Sequence, residues 1–85
     1  MSSDIIERAA QAVSFHSEGR LNAAEIAYRE VLAERPDYPA VLHNLGVLLA
    51  GAGRVDEAIT EFQKAITVDP DYEPALWSGA KALQQ

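Results

Sequence analysis

Two histidines, His16 and His43, are the side chains best suited to chemistry in this sequence of 85 residues. An imidazole can bind a metal or exchange a proton near neutral pH, so a zinc site or an acid–base pair is the first possibility. A second candidate is the alternation of Asp69, Asp71 and Glu73, which has the spacing that opens a calcium-binding loop. The chain has no cysteine, which excludes disulfides and thiolate metal sites. Whether these groups can act together depends on the elements that carry them.

The chain repeats itself with a period of 34 residues. Residues Gly19–Tyr38 read GRLNAAEIAYREVLAERPDY, and residues Gly53–Tyr72 read GRVDEAITEFQKAITVDPDY. A third copy begins after Tyr72 and stops about halfway. A fixed period of this length is typical of proteins built from repeated helical units.

Apolar residues recur every three to four positions within each copy, for example at Leu42, Leu45 and Leu49, which is the periodicity of an α-helix. The pattern predicts five helices in antiparallel hairpins with short turns, at residues 4–17, 21–34, 38–51, 55–68 and 72–84. The candidate helix caps are Asp4 with Glu7, Asn22 with Glu25, Asp37 ahead of Pro39, and Asp71 ahead of Pro74.

The second copy carries its apolar and small residues in a fixed order: Leu42, Leu45, Gly46, Leu49, Ala58, Phe62 and Pro70. In this order and spacing the chain resembles the tetratricopeptide repeat, with leucines in place of that family's tryptophan and tyrosine. The resemblance implies an all-α, helical-hairpin solenoid in which Gly46 and Ala58 let two helices cross closely beside Phe62. It covers a single domain, 1–85, of about two and a half repeats, at about residues 5–38, 39–72 and 73–85. The first copy is looser, since Arg8 stands where the tryptophan would be.

The repeat separates the two histidines. Subtracting the period places His16 at the position of Ala50 and His43 at that of Ala9, seven residues apart along equivalent helices. At about 1.5 Å per residue the axial offset is about 10 Å. Two nitrogens that each bind zinc at about 2.0–2.1 Å cannot span that distance. The acidic loop at Asp69 also lacks the glycine and distant glutamate of a calcium site, so we expect no metal. Serine, lysine and histidine form no triad-like grouping, and there is no glycine-rich phosphate loop, so we expect no cofactor and no enzyme activity.

Composition limits the partners. Thirteen acidic and seven basic residues give a net charge of −6, which disfavours nucleic acid and anionic membranes. The start, MSSDIIERAAQAV, is acidic where a signal peptide would be positively charged. No apolar run approaches the roughly 18 residues that a membrane span needs. We therefore expect a cytoplasmic protein.

In tetratricopeptide proteins the first helices of successive repeats line a concave groove that holds partner peptides. The resemblance places a mostly apolar set of residues there: Ile6, Ala9, Val13, His16, Ala40, His43, Asn44, Val47, Trp77 and Lys81. Family members that bind acidic chaperone tails use a clamp of lysine, asparagine, asparagine, lysine and arginine. The matching residues here are Ala9, Val13, Asn44, Pro74 and Ser78. Only the asparagine is retained, so we expect a partner with hydrophobic anchors.

These observations predict a protein–protein interaction module that binds a peptide or helix. The predicted last helix also carries Leu76, Ala80 and Leu83 at the spacing of a buried face. Because no later helix follows to cover them, we expect a homo-oligomer formed through this C-terminal edge. The alternative is the N-terminal arm of a larger enzyme of the glycosyltransferase or sulfotransferase type, in which a further repeat would cover the same residues.

Overall fold

Four helices occupy residues 2–71, the part of the chain that the computed structural model describes. They are α1 (Ser2–Ser17), α2 (Leu21–Glu34), α3 (Pro39–Gly51) and α4 (Val55–Val68). The prediction of an all-α helical repeat is confirmed for this range, and the predicted helix ends differ from the observed ones by no more than two residues. The predicted fifth helix, at residues 72–84, lies outside the described residues.

The chain divides into two compact units, Met1–Pro36 and Asp37–Gln85. The first unit contains α1 and α2, which pack against each other as a hairpin. Its core is built mainly from small side chains around one aromatic ring: Ala9, Ala12, Ala24, Tyr28 and Val31. Alanines on both helices allow close packing, so the ring of Tyr28 is the largest apolar group that this hairpin buries.

The second unit contains the α3–α4 hairpin and has a larger aliphatic core. Its buried apolar side chains, among the described residues, are Val41, Leu42, Leu45, Leu48, Leu49, Ala58, Phe62 and Ala65. Gly46 of α3 lies directly against the ring of Phe62 of α4, because an added Cβ would lie 2.5 Å from Cε1 of that ring. The predicted roles of these two residues are confirmed, because glycine leaves the space that the phenylalanine ring fills.

The turns after α1 and α3 have the same backbone conformation. Gly19 has a φ of 79° and Gly53 a φ of 83°, in the left-handed region that side chains disfavour. The N–H of Arg20 donates to the carbonyl of Phe15 at 2.9 Å, and the N–H of Arg54 makes the same bond one period later. This is the Schellman ending of a helix. The Gly-Arg pair that opens each repeated stretch therefore ends the preceding helix.

The predicted side-chain caps are wrong for the first three helices. α1 extends back to Ser2, so Asp4 lies within its first turn. The cap residue of α2 is Arg20, which makes no side-chain cap hydrogen bond, and Asn22 therefore lies inside the helix. The cap of α3 is Tyr38, again with no side-chain cap hydrogen bond, although Pro39 does occupy the first turn as predicted. Within residues 2–71, none of the helices is long and apolar enough to cross a membrane.

Candidate functional site

The predicted groove residues on α1 differ in exposure. Ile6 is 56% exposed and Val13 is 41% exposed. They are seven residues apart, which places them about 10 Å from each other on one face of the helix. His16 is half-buried and Ala9 is buried. The first unit thus presents two aliphatic side chains to solvent on the helix that the resemblance assigns to the groove.

On α3 the predicted groove residues form an uncharged surface. Val47 is 40% exposed, and Ala40, His43 and Asn44 are half-buried. The helix contains no lysine, arginine, aspartate or glutamate, so His43 is its only side chain that titrates near neutral pH. The remaining predicted groove residues, Trp77 and Lys81, lie outside the described residues.

His16 has a structural role that the sequence did not predict. Its Nδ1 lies 3.1 Å from the hydroxyl oxygen of Tyr28, and the two rings meet edge to face at 82°. Tyr28 is completely buried, and this burial raises the pKa of its hydroxyl. The imidazole therefore supplies the hydrogen-bond partner that a buried hydroxyl requires.

The repeat contained a clue to this pair. One period later, Phe62 takes the place of Tyr28, and Ala50 takes the place of His16. The hydroxyl and its imidazole partner are therefore present together in the first copy and absent together from the second. A pairwise comparison of the two copies could have identified the contact.

His43 has a different environment in the second unit. Its ring lies 5.8 Å from that of Phe62, centroid to centroid, with a tilt of 41°. Partial burial lowers the pKa of His43, and a side-chain hydrogen bond with Asn44 is a smaller contribution in the opposite direction. The imidazole is therefore mainly neutral at pH 7, and α3 has no other side chain that carries charge there.

An ion pair joins the two helices of the first unit. The guanidinium of Arg8 contacts the carboxylate of Glu34, so the residue that replaces the family's tryptophan bridges α1 and α2. The Nε atom of Arg8 is buried and has no hydrogen-bond partner in the described part of the chain. The side chain is thus directed toward α2, away from the exposed face of α1.

Residues 2–71 contain no cluster of potential metal-binding side chains. No three side chains of histidine, aspartate or glutamate in that range lie close enough together to hold an ion. The carboxylate of Asp69 instead accepts a hydrogen bond from the backbone N–H of Asp71 at 3.2 Å, which stabilises the turn after α4. The residues predicted to form the self-association edge, Leu76, Ala80 and Leu83, lie outside the described residues.

Comparison with known proteins identifies the family and the fold of the chain. A family profile described as tetratricopeptide repeat matches residues 15–83. Among solved structures, the chain is similar to a tetratricopeptide repeat domain protein from Salinibacter ruber, with 23% sequence identity and a TM-score of 0.87. The alignment covers 94% of this chain and 96% of that one. At this level of identity, the likeness establishes the fold of the chain.

Proposed function

Because the chain belongs to the tetratricopeptide repeat family, whose repeats generally mediate protein–protein interaction, we propose that it binds a partner peptide or helix in a concave apolar groove. In this family the groove is lined by the first helices of successive repeats, which correspond to α1 and α3 of this chain. The binding is non-catalytic, as is typical of this family. The partner contributes aliphatic or aromatic anchor residues, because the exposed groove side chains on both helices are mainly apolar.

The observation that carries this proposal is an exposed valine at the same position of both repeats. Val13 and Val47 are one period apart, and they are 41% and 40% exposed. A single exposed aliphatic residue is ordinary on a protein surface. Here the valine recurs at equal exposure in both copies, on the helix that faces the groove in this family. The recurrence supports a binding surface that is apolar in both repeats.

A two-site substitution with a matched control tests the proposal. The groove variant is Val13→Ser with Val47→Ser, which makes one exposed position on each first helix polar. The control is Ile26→Ser with Val68→Ser, which does the same on α2 and α4, where these residues are 61% and 42% exposed. The full chain and both variants are immobilised, and the proteins that each retains from a cell lysate are quantified by mass spectrometry.

We expect a set of proteins that bind the wild type and the control variant equally and lose binding to the groove variant. Overlapping peptides from those proteins should then bind through a short segment with apolar anchors. Equal retention by the groove variant and the control would show that the valines do not contribute to binding, and the proposal would be wrong.

We also propose that the chain associates with itself through Leu76, Ala80 and Leu83. Support comes from their spacing in the sequence, since two leucines left in water would forgo about 1.5–3 kcal/mol of burial each. Light scattering coupled to gel filtration should give a dimer or larger species for the wild type. Leu76→Glu with Leu83→Glu should give a monomer, whereas Gln84→Glu with Gln85→Glu, which adds the same charge, should not. A wild-type monomer at high micromolar concentration would refute this.

A further inference from the structure

The exposed face of α3 places a histidine beside an aliphatic side chain. Ala40, His43 and Val47 are spaced by three and four residues, so they lie side by side along one face of the helix. Neighbours at these spacings are about 5–6 Å apart between their Cβ atoms. Val47 is 40% exposed, and His43 is half-buried. A segment that packs on Val47 therefore also covers part of the imidazole of His43.

The imidazole of His43 already has an apolar neighbour within the protein. Its ring lies 5.8 Å from that of Phe62, centroid to centroid, and Phe62 is only 2% exposed. A partner that covers the rest of the imidazole removes the water that would hydrate it in the protonated form. Loss of this water disfavours the charged form of a side chain. Burial has the same effect in the free protein, where it lowers the pKa of His43.

The charged groups of residues 37–71 leave burial as the main influence on His43. α3 itself has no lysine, arginine, aspartate or glutamate. On α4, which packs against α3, the buried charged side chain is Glu61, and its carboxylate lies 3.3 Å from Nζ of Lys64. The other charged side chains of this range are at least partly exposed: Asp37, Arg54, Asp56, Glu57, Asp69 and Asp71. Protonation of His43 thus places a charge on a helix that otherwise has none.

We propose that pH controls partner binding on the α3 face through His43. The neutral imidazole packs against an apolar partner segment, and the protonated imidazole opposes the same contact. Because covering the ring disfavours its charged form, binding is strongest above the pKa of His43 in the free protein and weakens as pH falls through that value. This inference rests on the proposed binding function of α3 and adds its regulation.

His16 provides a comparison within the same chain. Its Nδ1 lies 3.1 Å from the hydroxyl oxygen of Tyr28. A hydroxyl can donate to a neutral imidazole and accept from a protonated one, so His16 has a hydrogen-bond partner in both states. It also lies on α1, in the first unit, and not beside Val47. The substitution that tests His43 can therefore be made at His16 as a matched control.

A peptide without titratable groups isolates the effect of pH on the protein. It carries leucines on one helical face and glutamines elsewhere, has an acetylated start and an amidated end, and bears a dye that does not titrate in this range. Binding to the full chain is measured by fluorescence anisotropy at pH 7.5 and pH 5, with circular dichroism as the check that the chain is folded at both. We expect the wild type to bind about 3- to 10-fold more weakly at pH 5. His43→Gln should bind equally at the two pH values, whereas His16→Gln should keep the wild-type difference.

The pKa of His43 gives a second and direct measurement. The two histidines of the chain give two Cε1–H signals in NMR spectra, and the spectrum of His16→Gln assigns them. A saturating concentration of the peptide should lower the pKa of His43. An unchanged or raised pKa of His43 in the complex would overturn the inference, as would a pH dependence of binding that persists in His43→Gln.

Val47→Ser separates this inference from the proposed function. If the peptide binds at pH 7.5 and Val47→Ser weakens it, the α3 face binds partners whatever the outcome for pH. If the peptide does not bind, or if Val47→Ser changes nothing, the binding function of this face is refuted and its regulation by pH falls with it.

Discussion

Replacing Gly46 with alanine should destabilise the second unit even though alanine is the better helix former. Gly46 is in α3, and an added Cβ would lie 2.5, 2.7 and 2.9 Å from three ring atoms of Phe62. Such distances are far inside van der Waals contact, so the ring or the helix must move. Phe62 is only 2% exposed, which leaves its ring no open space to occupy.

Two opposing contributions set the size of the effect. Alanine is favoured over glycine in a helix by about 0.8–1.0 kcal/mol. Overpacking of a well-filled core costs about 1–3 kcal/mol, and three short contacts with a buried ring place this site in the upper part of that range. We expect a net loss of about 1–2 kcal/mol from the free energy of unfolding. For a domain of this size the loss corresponds to a melting temperature lower by about 4–16 °C.

The same helix supplies the control. Gly51, the last residue of α3, has no atom within 4 Å of an added Cβ. Gly51→Ala should therefore leave stability unchanged or raise it by up to about 1 kcal/mol. Melting is followed by circular dichroism, with urea denaturation giving the free energies. Gly46→Ala should also cost less in a Phe62→Leu background, because a smaller side chain leaves room for the Cβ. A Gly46→Ala variant that melts at or above the temperature of Gly51→Ala would refute the packing argument.

Three further outcomes are expected. Phe62→Ala should lower the free energy of unfolding by about 3–5 kcal/mol in urea denaturation, and a melting temperature within about 2 °C of wild type would contradict its place in the core. Tyr28→Phe should lower the free energy of unfolding by about 0.5–1.5 kcal/mol in the same measurement. In a His16→Ala background, which lacks the hydrogen-bond partner, Tyr28→Phe should cause no loss of stability. Because folding lowers the pKa of His43, its contribution to stability is complete above the unfolded pKa of about 6.5 and is lost as pH falls through the folded pKa. His43→Gln should therefore reduce the drop in melting temperature between pH 7.5 and pH 5, and an unchanged drop would exclude this role.

The helices could be predicted from the sequence because they depend on local periodicity. The spacing of Leu42, Leu45 and Leu49 places them on one face of a helix whatever that helix packs against. The repeat supplied a second copy of the same pattern. Pairing small residues such as Gly46 with a large one, Phe62, predicted where the helices of a hairpin approach each other, and the structure has them in contact.

The polar contacts were decided by the tertiary structure. Arg8 pairs with Glu34 across 26 residues, and His16 with Tyr28 across 12. Such pairs depend on how two helices are rotated about their own axes, which periodicity does not define to within a hydrogen-bond length. The predicted side-chain caps were wrong for a related reason. A capping pattern such as Asn22 with Glu25 competes with the way in which the preceding helix ends. Gly19, in the left-handed conformation, ends α1, and α2 therefore starts at Leu21. Sequence patterns thus defined which faces meet, and packing of the folded hairpins determined which polar atoms come within bonding distance.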